Sequence, residues 1–191
     1  MNIIQKPAHT SNYTVGRNHQ SVELLVIHVS QSSVRSMNSW FANPAANVSA
    51  HFGISKFGII YQYVDTNDTA WHSGRRDINQ RSIGIEHEGK GDDYAPNPAQ
   101  LAASAKFTAD LAMRHNVIPS HETIRPHRDF RATLCPAGFP MEEYVEMVQN
   151  LTPRLKTVVL HLGSLEPVIL RGEFIYTIRN DKIDIREKAR R

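Results

Sequence analysis

Short apolar runs that favour β-strands alternate along this chain with stretches that favour helices, and this alternation restricts the possible folds most strongly. Val22–Ile27 and Ser82–Glu88 have the composition of strands, whereas Ser33–Phe41 has helical character. A longer helix is predicted to begin at Pro98, because Asn97 is a favourable capping residue and proline suits the first helical position. Strands interleaved with helices are typical of α/β domains. We therefore predict an α/β fold in which helices flank a central mixed β-sheet.

The chain changes character near Pro153. Residues 153–191 contain short β-like runs separated by turn-forming pairs such as Gly163-Ser164 and Asn180-Asp181. A third such pair is Arg171-Gly172. This segment holds nine Lys/Arg and five Asp/Glu, a balance of +4, whereas the first 152 residues have a balance of −1. A basic segment suits an anionic partner, and equally suits a solvated surface. We predict a main domain over residues 1–152 and a small, basic C-terminal β appendage over residues 153–191.

The sequence disfavours two broad classes of protein. No run of about 18 or more apolar residues occurs, so no membrane span is expected. In residues 153–191 the acidic side chains interleave with the basic ones, and no recognised nucleic-acid-binding motif is present, so nucleic-acid binding is not expected.

Two histidines and the single cysteine form a candidate metal site. His28 follows the first predicted strand, and His127 precedes Cys135 by eight positions. Zinc binds imidazole and thiolate, and a catalytic zinc has three protein ligands and one open position. One cysteine cannot form an internal disulfide, so its thiol is free to be a ligand. Because the chain contains ten histidines, spacing alone leaves an ordinary hydrogen-bonding role open for each of them.

The strand predicted at Ser82–Glu88 presents different side chains on its two faces. Ile83, Ile85 and His87 point to one side, and Glu86 points to the other. A carboxylate in an enzyme site can serve as a general base. From the pattern alone, a solvated or ion-paired carboxylate is the simpler interpretation of Glu86.

Five motifs that occur in order carry a family resemblance. They are LLVIH, VSAHFGISKFGIIYQYV, TAWHSG, SIGIEHEG and HRDFRATLCP. Together, from about Val22 to Tyr144, they resemble the type-2 N-acetylmuramoyl-L-alanine amidases, zinc hydrolases of peptidoglycan that share their fold with animal peptidoglycan recognition proteins. Each motif alone is weak evidence for the family, but the occurrence of all five in this order makes the resemblance specific. It implies a mixed sheet with one zinc ion at the floor of a groove.

The resemblance also implies roles for individual residues. The zinc ligands of the family correspond to His28, His127 and Cys135. Glu86 corresponds to the glutamate base of one branch. Thr133 lies two positions before the last ligand, where a hydroxyl would hydrogen-bond the developing oxyanion.

The segment AWHSG resembles a family segment that lines the substrate groove, which implies that Trp71 and His72 bind substrate. A tryptophan face packs on sugar or peptide, and its N–H donates. Core packing is the alternative for Trp71. A core position suits His72 less well, because it lies between Trp71 and the loop-forming pair Ser73-Gly74.

This chain combines features of two branches of the family. Cys135 matches the cysteine-bearing branch, which includes phage amidases and recognition proteins. That branch usually has a tyrosine where this chain has Ala50. Ala50 and Glu86 instead match the branch that recycles cell-wall fragments in the cytoplasm.

We therefore expect a zinc-dependent amidase that hydrolyses the bond between N-acetylmuramic acid and L-alanine in peptidoglycan or muropeptides. The basic appendage favours a phage-type endolysin or another wall-lytic enzyme, and a cytoplasmic recycling amidase is the alternative. A non-catalytic peptidoglycan-binding module is disfavoured, because such proteins often lack the cysteine ligand. Residues 1–15 lack the pattern of a secretory signal. We expect cytoplasmic synthesis, followed by release to the wall or by action on cytoplasmic muropeptides.

Overall fold

The computed structural model describes residues 2–91 and 94–152, and the strands at 155–160, 168–179 and 182–187. The strands of the first 152 residues are β1 (Ile3–Gln5), β2 (Tyr13–Thr14), β3 (Leu24–Val29), β4 (Phe52–Ile54), β5 (Ile60–Gln62), β6 (Thr69–Ala70), β7 (Ser82–His87) and β8 (Ile124–Pro126). The helices are α1 (Val34–Ala42), α2 (Arg76–Gln80), α3 (Pro98–Arg114) and α4 (Met141–Leu151). Short 3-10 helices span Thr10–Asn12 and His127–Asp129.

Six of these strands form a central sheet in the order β1-β5-β4-β7-β3-β8. Only the pair β4 and β5 is antiparallel in this sheet, and the other neighbouring strands run parallel. The predicted α/β fold with a mixed sheet flanked by helices is therefore confirmed. The strands β7, β3 and β8 lie side by side in parallel, so their carboxyl ends meet at one edge.

The predicted elements agree with the structure apart from small shifts at their ends. The strand predicted at Val22–Ile27 spans Leu24–Val29 and includes His28, because the backbone of His28 pairs with Glu86 in β7. The helix predicted to begin at Pro98 does so, and the Asn97 side chain accepts a hydrogen bond from the Gln100 N–H at 3.0 Å.

The main core lies between the sheet and the pair of helices α3 and α4. Ile83 and Ile85 of β7 are fully buried against this side, together with Phe107 of α3 and Tyr144 of α4. His87 points the same way, as predicted, and its Nε2 lies 2.6 Å from the Ser104 hydroxyl. This packing leaves the alternate residues of β7 facing the opposite side of the sheet.

On that opposite side, two smaller apolar clusters pack against the sheet. Helix α1 contributes Met37 and Phe41 to one cluster, and α2 contributes Ile78 to another. These short helices cover part of the sheet and leave a groove over the ends of β7 and β3.

The C-terminal part contains β9 (Leu155–Leu160), β10 (Val168–Arg179) and β11 (Lys182–Glu187). They form an antiparallel sheet in the order β11-β10-β9, so the predicted β character is confirmed. The turns predicted at Gly163-Ser164 and Asn180-Asp181 lie outside the described residues. The break predicted at Arg171-Gly172 is wrong, because β10 continues through it and the pairing with β9 only shifts register between Arg171 and Phe174. The domain boundary between residues 152 and 153 stays a prediction. Among the residues described, no helix has both the length and the apolar character of a membrane span.

Candidate active site

Strand register brings the predicted site residues together. His28 of β3 is paired in register with Glu86 of β7, and in a parallel pair such partners project to the same face. On the other side of β3, Ile27 pairs with Pro126, so His127 follows directly beside His28. Carboxyl ends of parallel strands are where open α/β sheets place their ligand sites.

The predicted metal-binding trio converges at this edge. The ligand atoms of His28, His127 and Cys135 all lie within 4.8 Å of one another. His28 Nδ1 lies 4.0 Å from Cys135 Sγ, and the two histidine ring centroids are 4.4 Å apart. Two imidazoles and one thiol are a donor set that suits zinc, with a coordination position left for water or substrate.

The ionisation of the trio also fits a metal site. Burial lowers the pKa of His28 well below its usual value, and neighbouring His72 and His127 lower it further. Burial likewise lowers the pKa of His127. Both rings are therefore neutral near pH 7, which is the form that binds a metal.

Cys135 is held against the backbone of β3. The Val29 N–H donates to Cys135 Sγ at 3.3 Å, which favours a thiolate. Burial acts in the opposite direction and, helped by the nearby Glu86, raises the pKa of the thiol to about 12. A divalent cation beside the sulfur would reverse that balance, since a coordinating thiol is deprotonated.

Glu86 lies beside the trio of His28, His127 and Cys135. Its side chain is 16% exposed, and its Oε1 is 3.8 Å from His28 Nδ1. Its Oε2 is buried and has no hydrogen-bond partner within the described part of the chain. Burial raises the pKa of this carboxyl to about 8, and a divalent cation held by the neighbouring trio would lower it again and favour the carboxylate. Buried polar atoms are almost always hydrogen-bonded, so this oxygen is available for a partner that comes from outside the protein.

A groove of about 920 Å³ opens above these residues. Helix α1 forms one wall, which includes Arg35 and the half-exposed Trp40. Trp71 lies on the wall as the resemblance implies, and its indole N–H donates to the Thr14 hydroxyl at 3.0 Å. Substrate binding by Trp71 stays a prediction. Because the indole N–H is already hydrogen-bonded, the face of the ring is the surface that would contact a substrate.

Thr133 borders the same groove on an exposed loop. Its hydroxyl oxygen accepts a hydrogen bond from the Cys135 N–H at 3.2 Å. The hydroxyl hydrogen is not used in that bond, so it is available to donate. Its predicted catalytic role stays a prediction.

His72 lies at the edge of the groove with 9% of its surface exposed. Its Nδ1 is 3.1 Å from His28 Nε2, and its Nε2 is 3.0 Å from the Ser82 hydroxyl. Burial, followed by the neighbouring His51, lowers the pKa of His72 well below its usual value. Substrate binding by His72 stays a prediction, but both ring nitrogens already face protein groups.

Two serines that support the histidines were not predicted from the sequence. Ser82 contacts His72, and the backbone carbonyl of Ser73 lies 3.3 Å from His127 Nε2. A carbonyl only accepts hydrogen bonds, so this contact assigns the hydrogen to Nε2 and leaves His127 Nδ1 free as a ligand. The strand alternation that places Glu86 toward the groove also places Ser82 on the same face of β7.

A family model described as N-acetylmuramoyl-L-alanine amidase matches residues 18–138. The chain belongs to the N-acetylmuramoyl-L-alanine amidase family. The family predicted from the five motifs is thereby confirmed. The matched range contains every predicted site residue, from His28 to Cys135.

Two curated amidases are similar in sequence. N-acetylmuramoyl-L-alanine amidase A of Achromobacter lyticus is 38% identical over 116 residues, which is 60% of this chain and 63% of that protein. The 1,6-anhydro-N-acetylmuramyl-L-alanine amidase AmpD of Citrobacter freundii is 40% identical over 91 residues, 42% of this chain and 48% of that protein. The chain therefore matches less than two thirds of the length of each.

A solved structure of a mutant endolysin from Bacillus subtilis superposes with a TM-score of 0.65 at 22% identity. The match covers 78% of this chain and 99% of that one. At this identity the similarity shows the amidase fold.

Proposed function

We propose that this chain is a zinc-dependent N-acetylmuramoyl-L-alanine amidase that hydrolyses the amide between N-acetylmuramic acid and L-alanine. One observation carries the proposal. Two neutral histidines and a cysteine converge at the floor of a groove, next to a glutamate whose buried Oε2 has no hydrogen-bond partner among the described residues. Membership of the amidase family and the similarity to two curated amidases support it.

His28, His127 and Cys135 would hold one zinc ion. When bound, zinc supplies a Lewis acid that polarises a carbonyl and acidifies water. Such help is needed because an amide resists attack by neutral water. The remaining steps depend on residues of this chain.

Glu86 is the proposed general base. Its free oxygen accepts a proton from the water whose oxygen bonds to the lactyl carbonyl carbon. As the carbon–nitrogen bond breaks, the same carboxyl returns a proton to the L-alanine nitrogen, which leaves as an amine. Proton transfer of this kind contributes about 10²–10⁴-fold to a rate.

Thr133 and Trp71 are proposed to assist from the walls of the groove. The Thr133 hydroxyl donates to the oxyanion that develops on the carbonyl oxygen, without the charge that a lysine would bring. The face of the Trp71 ring packs against the sugar or the stem peptide.

Mass spectrometry of digested peptidoglycan tests the proposed activity. We expect stem peptides with a free L-alanine amine, together with glycan that has lost its stems. The products should disappear after a chelator is added and return when zinc is supplied. If the stems stay attached with zinc present, the chain is a binding module instead.

The size of the preferred substrate distinguishes two possible biological roles, wall lysis and recycling of muropeptides. We propose a wall-lytic role, such as that of an endolysin, which the basic C-terminal segment supports. Ala50 with Glu86, and the similarity to AmpD, support a recycling role as the alternative. Intact sacculi should be cleaved at least as efficiently as soluble anhydro-muropeptides if the enzyme is wall-lytic. A strong preference for the soluble fragments would indicate recycling.

We also propose that residues 153–191 form a separate appendage that binds the anionic wall. Deleting this segment should reduce binding to sacculi more than it reduces cleavage of a soluble muropeptide. The measurements are a pull-down with sacculi and a turnover assay on the same preparation. An equal loss in both would mean that the segment supports the fold of the main domain.

A further inference from the structure

The two nitrogens of His28 face different surroundings. Nδ1 faces the groove, 4.0 Å from Cys135 Sγ and 3.8 Å from Glu86 Oε1. Nε2 points into the protein, 3.1 Å from His72 Nδ1. For His28 to act as a ligand, its groove-facing nitrogen must carry a lone pair, so the hydrogen of the neutral ring must be on Nε2.

A chain of hydrogen bonds fixes where that hydrogen lies. The Ile78 carbonyl can only accept, so the Ser82 hydroxyl donates to it at 2.6 Å. Ser82 Oγ can then accept from His72 Nε2–H at 3.0 Å. With its hydrogen on Nε2, the neutral ring of His72 has a bare Nδ1, which accepts from His28 Nε2–H. The backbone carbonyl thereby sets the tautomer of His28 through two side chains.

The His72 ring packs closely against the backbone of β7. Its ring lies over Gly84, where an added Cβ would come within 2.4 Å of His72 Cγ. Gly84 lies between Ser82 and Glu86 on the groove-facing side of β7, so the ring spans the distance from Ser82 to His28. Ser82 and His28 are buried, which limits access of water that could replace either bond.

The opposite tautomer of His72 would prevent His28 from binding the metal through Nδ1. With the hydrogen on His72 Nδ1, the His28 nitrogen opposite it would have to accept. The hydrogen of His28 would then move to Nδ1 and occupy the lone pair that faces the groove. Ser82 disfavours this arrangement, because it would leave His72 Nε2 and Ser82 Oγ without a hydrogen between them.

We propose that His72 and Ser82 are positioning residues that hold His28 in its ligand tautomer and orientation, a role distinct from contact with substrate. The inference rests on the proposed metal site. It changes the predicted role of His72 from binding the substrate to supporting a ligand. Hydrogen-bond partners of metal-binding histidines commonly act in this way.

Zinc affinity of the full-length chain, measured by competition with a chromophoric chelator, tests the proposal. His72→Leu should weaken zinc binding by about 10–100-fold. His72→Asn should retain most of the affinity, because its amide oxygen can occupy the place of Nδ1 and accept from His28. Ser82→Ala should fall between them. Circular dichroism confirms that each variant is folded.

The proposal is overturned if His72→Leu binds zinc as tightly as the wild type, or if His72→Asn is no better than His72→Leu. Failure of the wild type to bind zinc would overturn the proposed function as well. Tight wild-type binding with an unaffected His72→Leu would overturn only the positioning role, so the two failures are distinguishable.

A second measurement needs no substitution. In the metal-free wild type labelled with ¹⁵N-histidine, long-range ¹H–¹⁵N spectra identify the tautomer of each ring. We expect the hydrogen on Nε2 in both His28 and His72. A hydrogen on Nδ1 of His28 would overturn the proposal even if every His72 variant failed to fold.

Discussion

The two halves of the candidate active site are held in place by different means. His28 and Glu86 lie in register on adjacent central strands. His127 and Cys135 instead flank a loop in which residues 131–134 are exposed. The first half is thus part of the packed interior, whereas the residues of the second half lie at the ends of a surface loop. Substitutions in the loop half should therefore separate metal binding from folding, whereas loss of the buried ligand His28 in the sheet half should affect both.

The largest expected effect is in the loop half. Cys135→Ser and His127→Ala should each abolish zinc binding and amidase activity, because two remaining ligands hold a catalytic zinc poorly. The free energy of unfolding of the metal-free protein should change by about 1 kcal/mol or less, since these sites are only partly buried.

Thermal unfolding with and without zinc provides the control. Zinc should stabilise the wild type by mass action and leave both variants unchanged. Full activity in either variant would remove that residue from the site.

The next effect concerns the carboxylate of the sheet half. Glu86→Gln should leave zinc bound and reduce turnover by about 10²-fold or more, as expected for a lost general base. Metal content and kcat are measured on the same preparation. A near-normal kcat would mean that another group takes the proton.

A substitution on the far side of β3, the strand that carries His28, tests the comparison itself. Ile27 is fully buried next to His28 and points to the opposite face of β3. Ile27→Ala should lower the free energy of unfolding by about 2–5 kcal/mol through the cavity it leaves. Urea denaturation measures this cost. If the cost is no larger than for Cys135→Ser, the two halves do not differ in the way described.

The smallest effect is expected at Thr133. Thr133→Val keeps the shape of the side chain and removes the hydroxyl donor. We expect kcat to fall by about tenfold, less than for a fully buried oxyanion donor, because this loop is exposed to water. Thr133→Ser, which keeps the hydroxyl, is the matched control and should retain most activity.

Local patterns in the sequence were sufficient to predict most elements of the main domain. The apolar run before His28 identified a strand, Asn97-Pro98 identified a helix start, and alternation in SIGIEH separated Glu86 from His87. The metal-binding trio could be predicted because family motifs in a fixed order supply long-range information that periodicity lacks.

Other features depend on tertiary contacts that local patterns do not encode. Strand β1 has three residues and exists because it pairs with β5, more than 50 positions away. The contact of His72 with His28 joins residues 44 positions apart. One signal was available, since Gly84 lies inside β7 between Ile83 and Ile85, and a glycine inside a strand often marks a close approach by another group.

Cobalt binding tests the central claim most directly. With Co²⁺ in place of zinc, the wild type should bind one ion per chain and show a thiolate-to-cobalt charge-transfer band, because Cys135 lies with two histidines around one position. The band should be absent in Cys135→Ser. If the wild type binds no cobalt, or if the band persists without Cys135, the three side chains do not share a metal ion and the proposed amidase mechanism is wrong.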